Sequence, residues 1–101
     1  MDIQKLMKQA QEMQAGMQKT QEELAAKTVE ASVGGGKVTV VANGAGDVQS
    51  ISIDPSVVDP EDVEFLQDLV LSGVQEAIAK GKEMATTEMS KLTGGMGLPG
   101  M

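Results

Sequence analysis

The hydrophobic pattern of the chain changes its period twice, and the middle segment, residues 29–54, constrains the fold most strongly. In the strings VEASV, KVTVVAN and DVQSISID, apolar and polar residues alternate, and many of the apolar ones are β-branched. Such alternation is typical of strands that bury one face. Glycine clusters at 34–36 and 44–46 separate the strings. The sequence therefore predicts a three-stranded antiparallel meander within residues 29–54.

The last of these strings departs from strict alternation at its start. Ile51 and Ile53 share one face of the predicted strand, whereas Val48 is out of phase with them. An extra residue in one strand of an antiparallel pair produces such a shift. We expect a bulge or a twist near Gln49.

The first glycine cluster ends in a lysine, and the resulting GGGK is similar to part of a phosphate-binding loop. Such a loop requires G-x-x-x-x-G-K-[ST] between a strand and a helix. Here Lys37 is followed by Val38, no glycine stands five positions before Gly36, and a strand comes next. The second cluster fails the dinucleotide fingerprint, because Gln49 stands where its third glycine belongs. We interpret both clusters as turns of the meander.

Residues 2–27 have the composition of one long helix. They contain no proline and consist mainly of good helix formers. Asp2 is the predicted N-cap, and Gly16 is expected on the solvent side. The helix is expected to pack along a seam of mainly apolar positions, and Lys27 falls outside it. The seam positions follow the heptad steps of three and four: Ile3, Leu6, Ala10, Met13, Met17, Thr20 and Leu24.

A second helix is predicted over residues 60–92. Asp59 is its expected N-cap and Pro60 its first residue, and Gly73 and Gly81 are expected to kink the helix or to break it in two. Residues 93–101 are predicted to form a flexible Gly-rich tail, so residues 1–92 form one domain of the α+β class. The apolar positions of the helix are Leu66, Val70, Val74, Ile78, Gly81, Ala85, Met89 and Leu92.

The residue types that are absent exclude most catalytic chemistry. The chain has no Cys, His, Arg, Tyr or Trp, and Phe65 is its only aromatic residue. Without Cys or His there is no thiolate nucleophile, no imidazole base and no ordinary zinc or copper site. The acidic cluster at 59–64 is interpreted as a solvated helix start. We therefore predict a protein that is not an enzyme and uses no metal and no cofactor.

The sequence also predicts a cytoplasmic protein without a membrane partner. No apolar run approaches the roughly 20 residues that span a bilayer, and MDIQKLMKQA lacks the apolar core of a secretory signal. The absence of Cys fits a reducing compartment.

Charge alone argues against nucleic acid as a partner. Eight lysines and fifteen carboxylates give a net charge of −7, which repels phosphate. The distribution is uneven, however: residues 2–27 carry four lysines and four carboxylates, and residues 61–93 carry three lysines and seven carboxylates. The excess of acid is in the second half of the chain.

A small sheet with open edges predicts self-association. Three short strands are marginally stable alone, and exposed edges favour pairing. Continuing the sheet across a two-fold axis would bury an edge. We therefore expect a homodimer.

Four blocks of the sequence, in this order, resemble the bacterial YbaB/EbfC family of nucleoid-associated proteins. They are LMKQAQEMQAGMQKTQEELA at 6–25, DVQSISIDPSVV at 47–58, LQDLVLSGVQEAI at 66–78 and LPGM at 98–101. The resemblance implies a tweezer-like homodimer with a shared sheet and projecting helical arms. It also implies non-enzymatic binding of duplex DNA in the nucleoid, to organise the chromosome or regulate expression. Family genes often lie beside a recombination-mediator gene, which links the family to recombination or replication proteins.

If the chain binds DNA, its lysines are the candidate contacts. On the first helix, Lys5, Lys8 and Lys19 lie within about 60° of arc, opposite the seam. Without Arg the bidentate contact to guanine is lacking, and without Tyr or Trp stacking on single-stranded bases is not expected. Binding should therefore be to duplex phosphates, weak and salt-sensitive. The full set of candidates is Lys5, Lys8, Lys19, Lys80, Lys82 and Lys91.

A function of another class stays open on the sequence alone. The net charge of −7 and the methionines of the seam favour an adaptor that binds other proteins through its helical arms. In that case DNA binding would be weak or absent.

Overall fold

The computed structural model describes residues 2–94 and confirms the predicted α+β class. Of the tail predicted at 93–101, residues 93 and 94 belong to the last helix, and 95–101 lie outside the described residues. The elements in chain order are helix α1 (Ile3–Ala26), strands β1 (Thr28–Val33), β2 (Val38–Asn43) and β3 (Val48–Ile53), a 3₁₀ turn (Pro55–Val57) and helix α2 (Val63–Gly94).

The strands form the predicted antiparallel meander in the order β1-β2-β3. Val40 is the Cα partner of both Ala31 and Ile51, so these three side chains share one face of the sheet. The pairing of β2 with β3 shifts by one residue, because Val41 pairs with Ser50 and Ala42 with Val48. The shift leaves Gln49 as the extra residue, which confirms the predicted bulge.

The glycines at 34–36 make the tight turn between β1 and β2. Gly34, Gly35 and Gly36 have φ values of 63°, 69° and 86°. Side chains with a Cβ rarely adopt this left-handed region. The cluster is therefore required by the turn itself.

Helix α1 begins where the sequence predicted. The side chain of Asp2 accepts hydrogen bonds from the backbone N–H groups of Gln4 and Lys5, at 3.1 and 3.3 Å. These bonds satisfy donors that have no partner inside the helix. Asp2 is therefore the N-cap, as expected.

The start predicted for the second helix is wrong by three residues. Asp59 caps a turn, in which its carboxylate accepts from Glu61 N and its carbonyl from Asp62 N. The carboxylate of Asp62 accepts from Phe65 N at 3.3 Å, and α2 begins at Val63. Two aspartates in succession offer similar caps, and the sequence pattern does not distinguish them.

The predicted break at Gly73 or Gly81 does not occur, since α2 is one continuous helix. These glycines, with Ala77 between them, form the stripe that lies on the sheet. A Cβ at Gly73 would come within 2.9 Å of Val40 Cγ2, and one at Gly81 would collide with the Asn43 carbonyl. Small residues every four positions let the helix backbone approach the strands closely. The sheet-facing side of α2 is therefore a line of small residues, of which only Gly81 was among the predicted apolar positions.

The core between α2 and the sheet is small. Among the described residues, the largest fully buried side chains are Val38 and Val40, each worth roughly 1.5–3 kcal/mol on burial. Leu69 and Val74 of α2 and Val57 of the 3₁₀ turn pack around them. A core of valines and alanines permits the short distance between helix and sheet.

Asn43 joins α1 to the sheet through its buried side chain. Its Oδ1 accepts from the backbone N–H groups of Ala45 and Asp47, and its Nδ2 donates to Ala25 O at 3.2 Å. The next residue, Gly44, donates from its N–H to Leu24 O at 2.9 Å. The end of α1 is thus fixed to the turn between β2 and β3.

Helix α1 then projects from this junction as an arm, and its seam differs from the predicted one. Gly16 is half-buried, and a Cβ there would lie 3.6 Å from Leu92 Cδ1, so Gly16 faces α2 and not solvent. The predicted seam residues Leu6 and Met17 are exposed. The molecule measures 71 × 26 × 16 Å, with a radius of gyration of 19.5 Å. A compact chain of this length would have about 13 Å.

The contacts of two helical glycines predict opposite effects for the same substitution. Gly81→Ala should destabilise the protein by about 2–3 kcal/mol, because the new methyl group forces α2 away from Asn43. Gly16→Ala should stabilise it by about 0.5–1 kcal/mol, because the methyl group meets only ordinary contact distances and alanine favours the helix. Urea unfolding monitored by circular dichroism measures both changes. If the two substitutions had the same sign, the close approach at Gly81 would not limit the packing.

Candidate nucleic-acid interface

The outer part of α1 is the positively charged region of an acidic chain. Residues 3–21 contain three lysines and one carboxylate, Glu12. By contrast, residues 54–68, at the far end of the sheet from the arm, contain six carboxylates and no lysine. The charge is therefore separated along the molecule, and a phosphate approaching the arm meets less repulsion than the net charge suggests.

The lysines at the centre of the predicted site lie on this arm. Lys5, Lys8 and Lys19 are exposed, and none forms an ion pair with another residue in the described range. Helix geometry puts Lys5 and Lys19 about 21 Å apart along the axis. Because α2 packs on the side of Gly16 and Thr20, the lysines lie roughly 40–100° around the helix from that contact and not directly opposite it. They are free to contact a ligand.

The other predicted lysines lie nearer the base of the arm and apart from one another. Lys80 Nζ donates to Glu30 O on β1 at 3.0 Å. Lys82 lies on the opposite flank of α2, next to Gly46 in the turn between β2 and β3. Lys91 forms an ion pair with Glu88 at 3.7 Å. The six lysines thus form one row on α1 and three separate positions on α2.

Lys27 is a basic residue of the arm that was not among the predicted site residues. Its Nζ lies 3.8 Å from Glu88 Oε1, the same oxygen that Lys91 approaches. Two lysines thus share one carboxylate at the base of α1, where the helix itself also carries Glu22 and Glu23. The heptad pattern gave no signal for this residue, because the partner that positions it is 61 residues away in the sequence.

The GGGK turn lies away from the arm, at the other end of β2. Lys37 Nζ is 3.6 Å from Asp54 Oδ2, and Lys37 O accepts from Asp54 N at 2.8 Å. The carboxylate of Asp54 also accepts from Ser56 N at 2.8 Å. This bond, assisted by the Ser56 hydroxyl and by Lys37, holds the pKa of Asp54 below its usual range. Lys37 therefore pairs with a carboxylate of its own chain.

No helix within residues 2–94 is long and apolar enough to cross a membrane. In the same range, no three carboxylate side chains come together as a metal site.

The protein is therefore of the α+β class: one helix covers a small antiparallel sheet, and a second helix projects as an arm that carries three lysines. The crystal structure of an uncharacterized protein from Helicobacter pylori has the same fold, with a TM-score of 0.64 at 24% identity over 77% of this chain and 90% of that one.

Sequence comparison gives the family. The profile of the YbaB/EbfC DNA-binding family matches residues 1–96. A nucleoid-associated protein of Acetivibrio thermocellus is 59% identical over 99% of this chain and 89% of its own length. One from Akkermansia muciniphila is 54% identical over 98% and 95%. The chain therefore belongs to the YbaB/EbfC DNA-binding family, and the resemblance seen in the sequence is confirmed.

The position of Lys37 predicts that its removal has little effect. Lys37→Ala should leave the free energy of unfolding and any DNA affinity nearly unchanged, because both partners of its ion pair are about half exposed. The pKa of Asp54 should stay below its ordinary value, because the bond from Ser56 N remains. The stability that Asp54 contributes is therefore present above its ordinary pKa and is lost as the pH falls through the lowered value. NMR titration of the Asp54 carboxyl in both proteins measures this directly.

The same variant tests the interpretation of GGGK as a turn. Nucleotide binding by the wild type, measured by calorimetry and abolished by Lys37→Ala, would contradict that interpretation.

Proposed function

We propose that the protein is a nucleoid-associated protein that binds duplex DNA as a homodimer, without catalysis, and so helps to organise the chromosome or to regulate expression. The single observation that supports this most directly is the row of exposed lysines on the arm, Lys5, Lys8 and Lys19. Family membership and the names of the relatives support the choice of DNA as the ligand. The nucleoid is then the expected location.

The chemistry of the arm favours contact with phosphate over reading of bases. Lysine offers a point charge with rotatable donors, which suits phosphate oxygens of any sequence. The chain contains no Arg for guanine and no Tyr or Trp for stacking. Exposed glutamines beside the lysines, among them Gln4, Gln11 and Gln18, add hydrogen-bond donors and acceptors. Affinity should therefore be modest, salt-dependent and similar on different sequences.

An apolar surface that α2 leaves uncovered supports the homodimer. Ile51 and Ile53 lie on the same face of the sheet as the buried Val40 and Val38, yet they are 44% and 37% exposed. Beside them, α2 carries a shallow apolar groove of about 430 Å³, lined by Leu66, Gln67, Val70, Leu71 and Val74. Apolar surface of this extent beside an open strand edge is typical of a protein interface. A second copy seated on β3 would cover both and continue the sheet.

Introducing a charge on that surface should separate the dimer. Ile51→Glu is expected to change the mass in solution from two copies to one, because a carboxylate would be buried against an apolar partner. Ser50→Glu adds the same charge to the neighbouring residue on the other face of β3, and it should remain dimeric. Light scattering at micromolar concentration measures both masses. A wild type that scattered as one copy would contradict the homodimer.

DNA binding through the arm predicts a particular dependence on salt. Each phosphate contact changes the slope of log affinity against log salt by about −0.9, so two or three lysines per arm should give a dimer slope of roughly −4 to −5. Lys5→Ala with Lys8→Ala should make the slope shallower and weaken binding alike on all duplex sequences. The fold should be retained, because both residues are exposed. Titrations at several salt concentrations give the slopes.

Single substitutions of equal charge provide the control. Lys8→Ala should weaken binding, whereas Lys37→Ala, at the far end of the sheet from the arm, should not. An unchanged slope in the double variant would move the contact to Lys80, Lys82 or Lys91. If the wild type failed to retard duplex DNA even at low salt, the adaptor function, with recombination or replication proteins as partners, would replace DNA binding.

A further inference from the structure

Helix α1 presents a wide face without any charged residue, here called the charge-free face. Most of its large apolar members are exposed, with Ile3 at 70%, Met7 at 59%, Leu6 at 49% and Met17 at 39%, whereas Leu24 at its inner end is buried. At 100° per residue the face covers about 100° of the helix. Its residues are Ile3, Leu6, Met7, Ala10, Gln14, Met17, Gln21 and Leu24.

The charged residues of α1 all lie elsewhere on the helix. By the same geometry each is at least about 60° from the edge of the charge-free face. They are Lys5, Lys8, Glu12, Lys19, Glu22 and Glu23. Helix α2 packs on the neighbouring side, at Gly16 and Thr20, and leaves most of the charge-free face uncovered by the described residues.

We propose that the charge-free face binds the same face of α1 in a second copy of the chain. A two-fold contact brings each surface against its own counterpart, so a charge near the axis meets the same charge. Two copies that each carry −7 repel one another. A face that is apolar and uncharged avoids the first penalty, and burial of its apolar side chains offsets the second. On α1 the charge-free face alone has these properties.

The spacing along the face favours an antiparallel pair in one register. Ile3, Ala10, Met17 and Leu24 follow one another at intervals of seven residues. When Ile3 of one copy lies level with the buried Leu24 of the other, Ala10 lies against Met17, so a small residue meets a large one. Ile3 of the second copy then reaches a crevice of about 350 Å³ at the base of the arm, lined in part by Leu24, Ala85 and Met89.

This contact is separate from the surface on β3 and leaves the lysines open. Lys5, Lys8 and Lys19 lie on the side of α1 away from the charge-free face. A protein that uses both apolar surfaces therefore assembles beyond two copies. Because the contact forms between proteins, it can be measured without DNA.

Disulfide trapping tests the register. The chain contains no Cys, so Ala10→Cys with Met17→Cys should form intermolecular disulfides under mild oxidation. Within one helix these positions are about 10 Å apart, which is beyond disulfide reach. The control is Gln4→Cys with Gln11→Cys, a pair of exposed residues at the same spacing on another face. Equal disulfide formation in both variants, or none in either, would overturn the proposal.

Sedimentation tests the assembly size. The wild-type mass should rise above two copies with concentration, and Met17→Gln should weaken that step by about tenfold or more, because an apolar contact is lost. Gln18→Ala, on the adjacent residue outside the face, should behave as the wild type. A wild type that never exceeds two copies, or a Met17→Gln variant that associates equally well, would overturn the proposal.

Discussion

The close contact between α2 and the sheet is the feature on which the rest of the structure depends. Gly73, Ala77 and Gly81 bring the helix backbone almost onto β2, at the separation that a core of small side chains can fill. Since α2 covers mainly β1 and β2, the face of β3 stays open. The contact also holds the second half of α2 beside Asn43, where α1 begins its course away from the sheet. The open face of β3 and the arm both follow from this packing.

The regular patterns in the sequence predicted the elements correctly, and most errors came from contacts between distant residues. The start of α2 was misplaced for a local reason, because Asp59 and Asp62 offer similar caps. Alternation and β-branching gave the three strands and even the bulge at Gln49, because these signals are local. The need for glycine at position 81 could not be predicted, because a side chain there would collide with the carbonyl of Asn43, which lies 38 residues earlier in the sequence. Likewise Gly16 faces α2 because Leu92 lies there, and no periodicity within α1 contains that information.

For the candidate interface, too, the sequence predicted which lysines share a face of one helix but not how lysines of different elements are arranged. The helical period puts Lys5, Lys8 and Lys19 on one side of α1, and their exposure agrees with that prediction. Lys80 and Lys82 are close in sequence but lie on opposite flanks of the helix. Lys80 donates to Glu30 O on β1, and Lys82 lies beside the turn between β2 and β3. Only the tertiary structure reveals that Lys27 and Lys91 meet at Glu88.

The junction at Asn43 has a mechanical consequence. Leu24 lies against this junction, and Ile3, at the tip of α1, lies about 31 Å farther along the helix axis. A rotation of about 10° at the junction would therefore displace the tip by about 5 Å, close to one helical turn. One buried amide and its three hydrogen bonds thus fix the base of the arm, and the packing of Gly16 against α2 holds its middle. In a dimer with two such arms, the width of the gap between the tips would depend on the geometry of this junction, about 31 Å away along each helix.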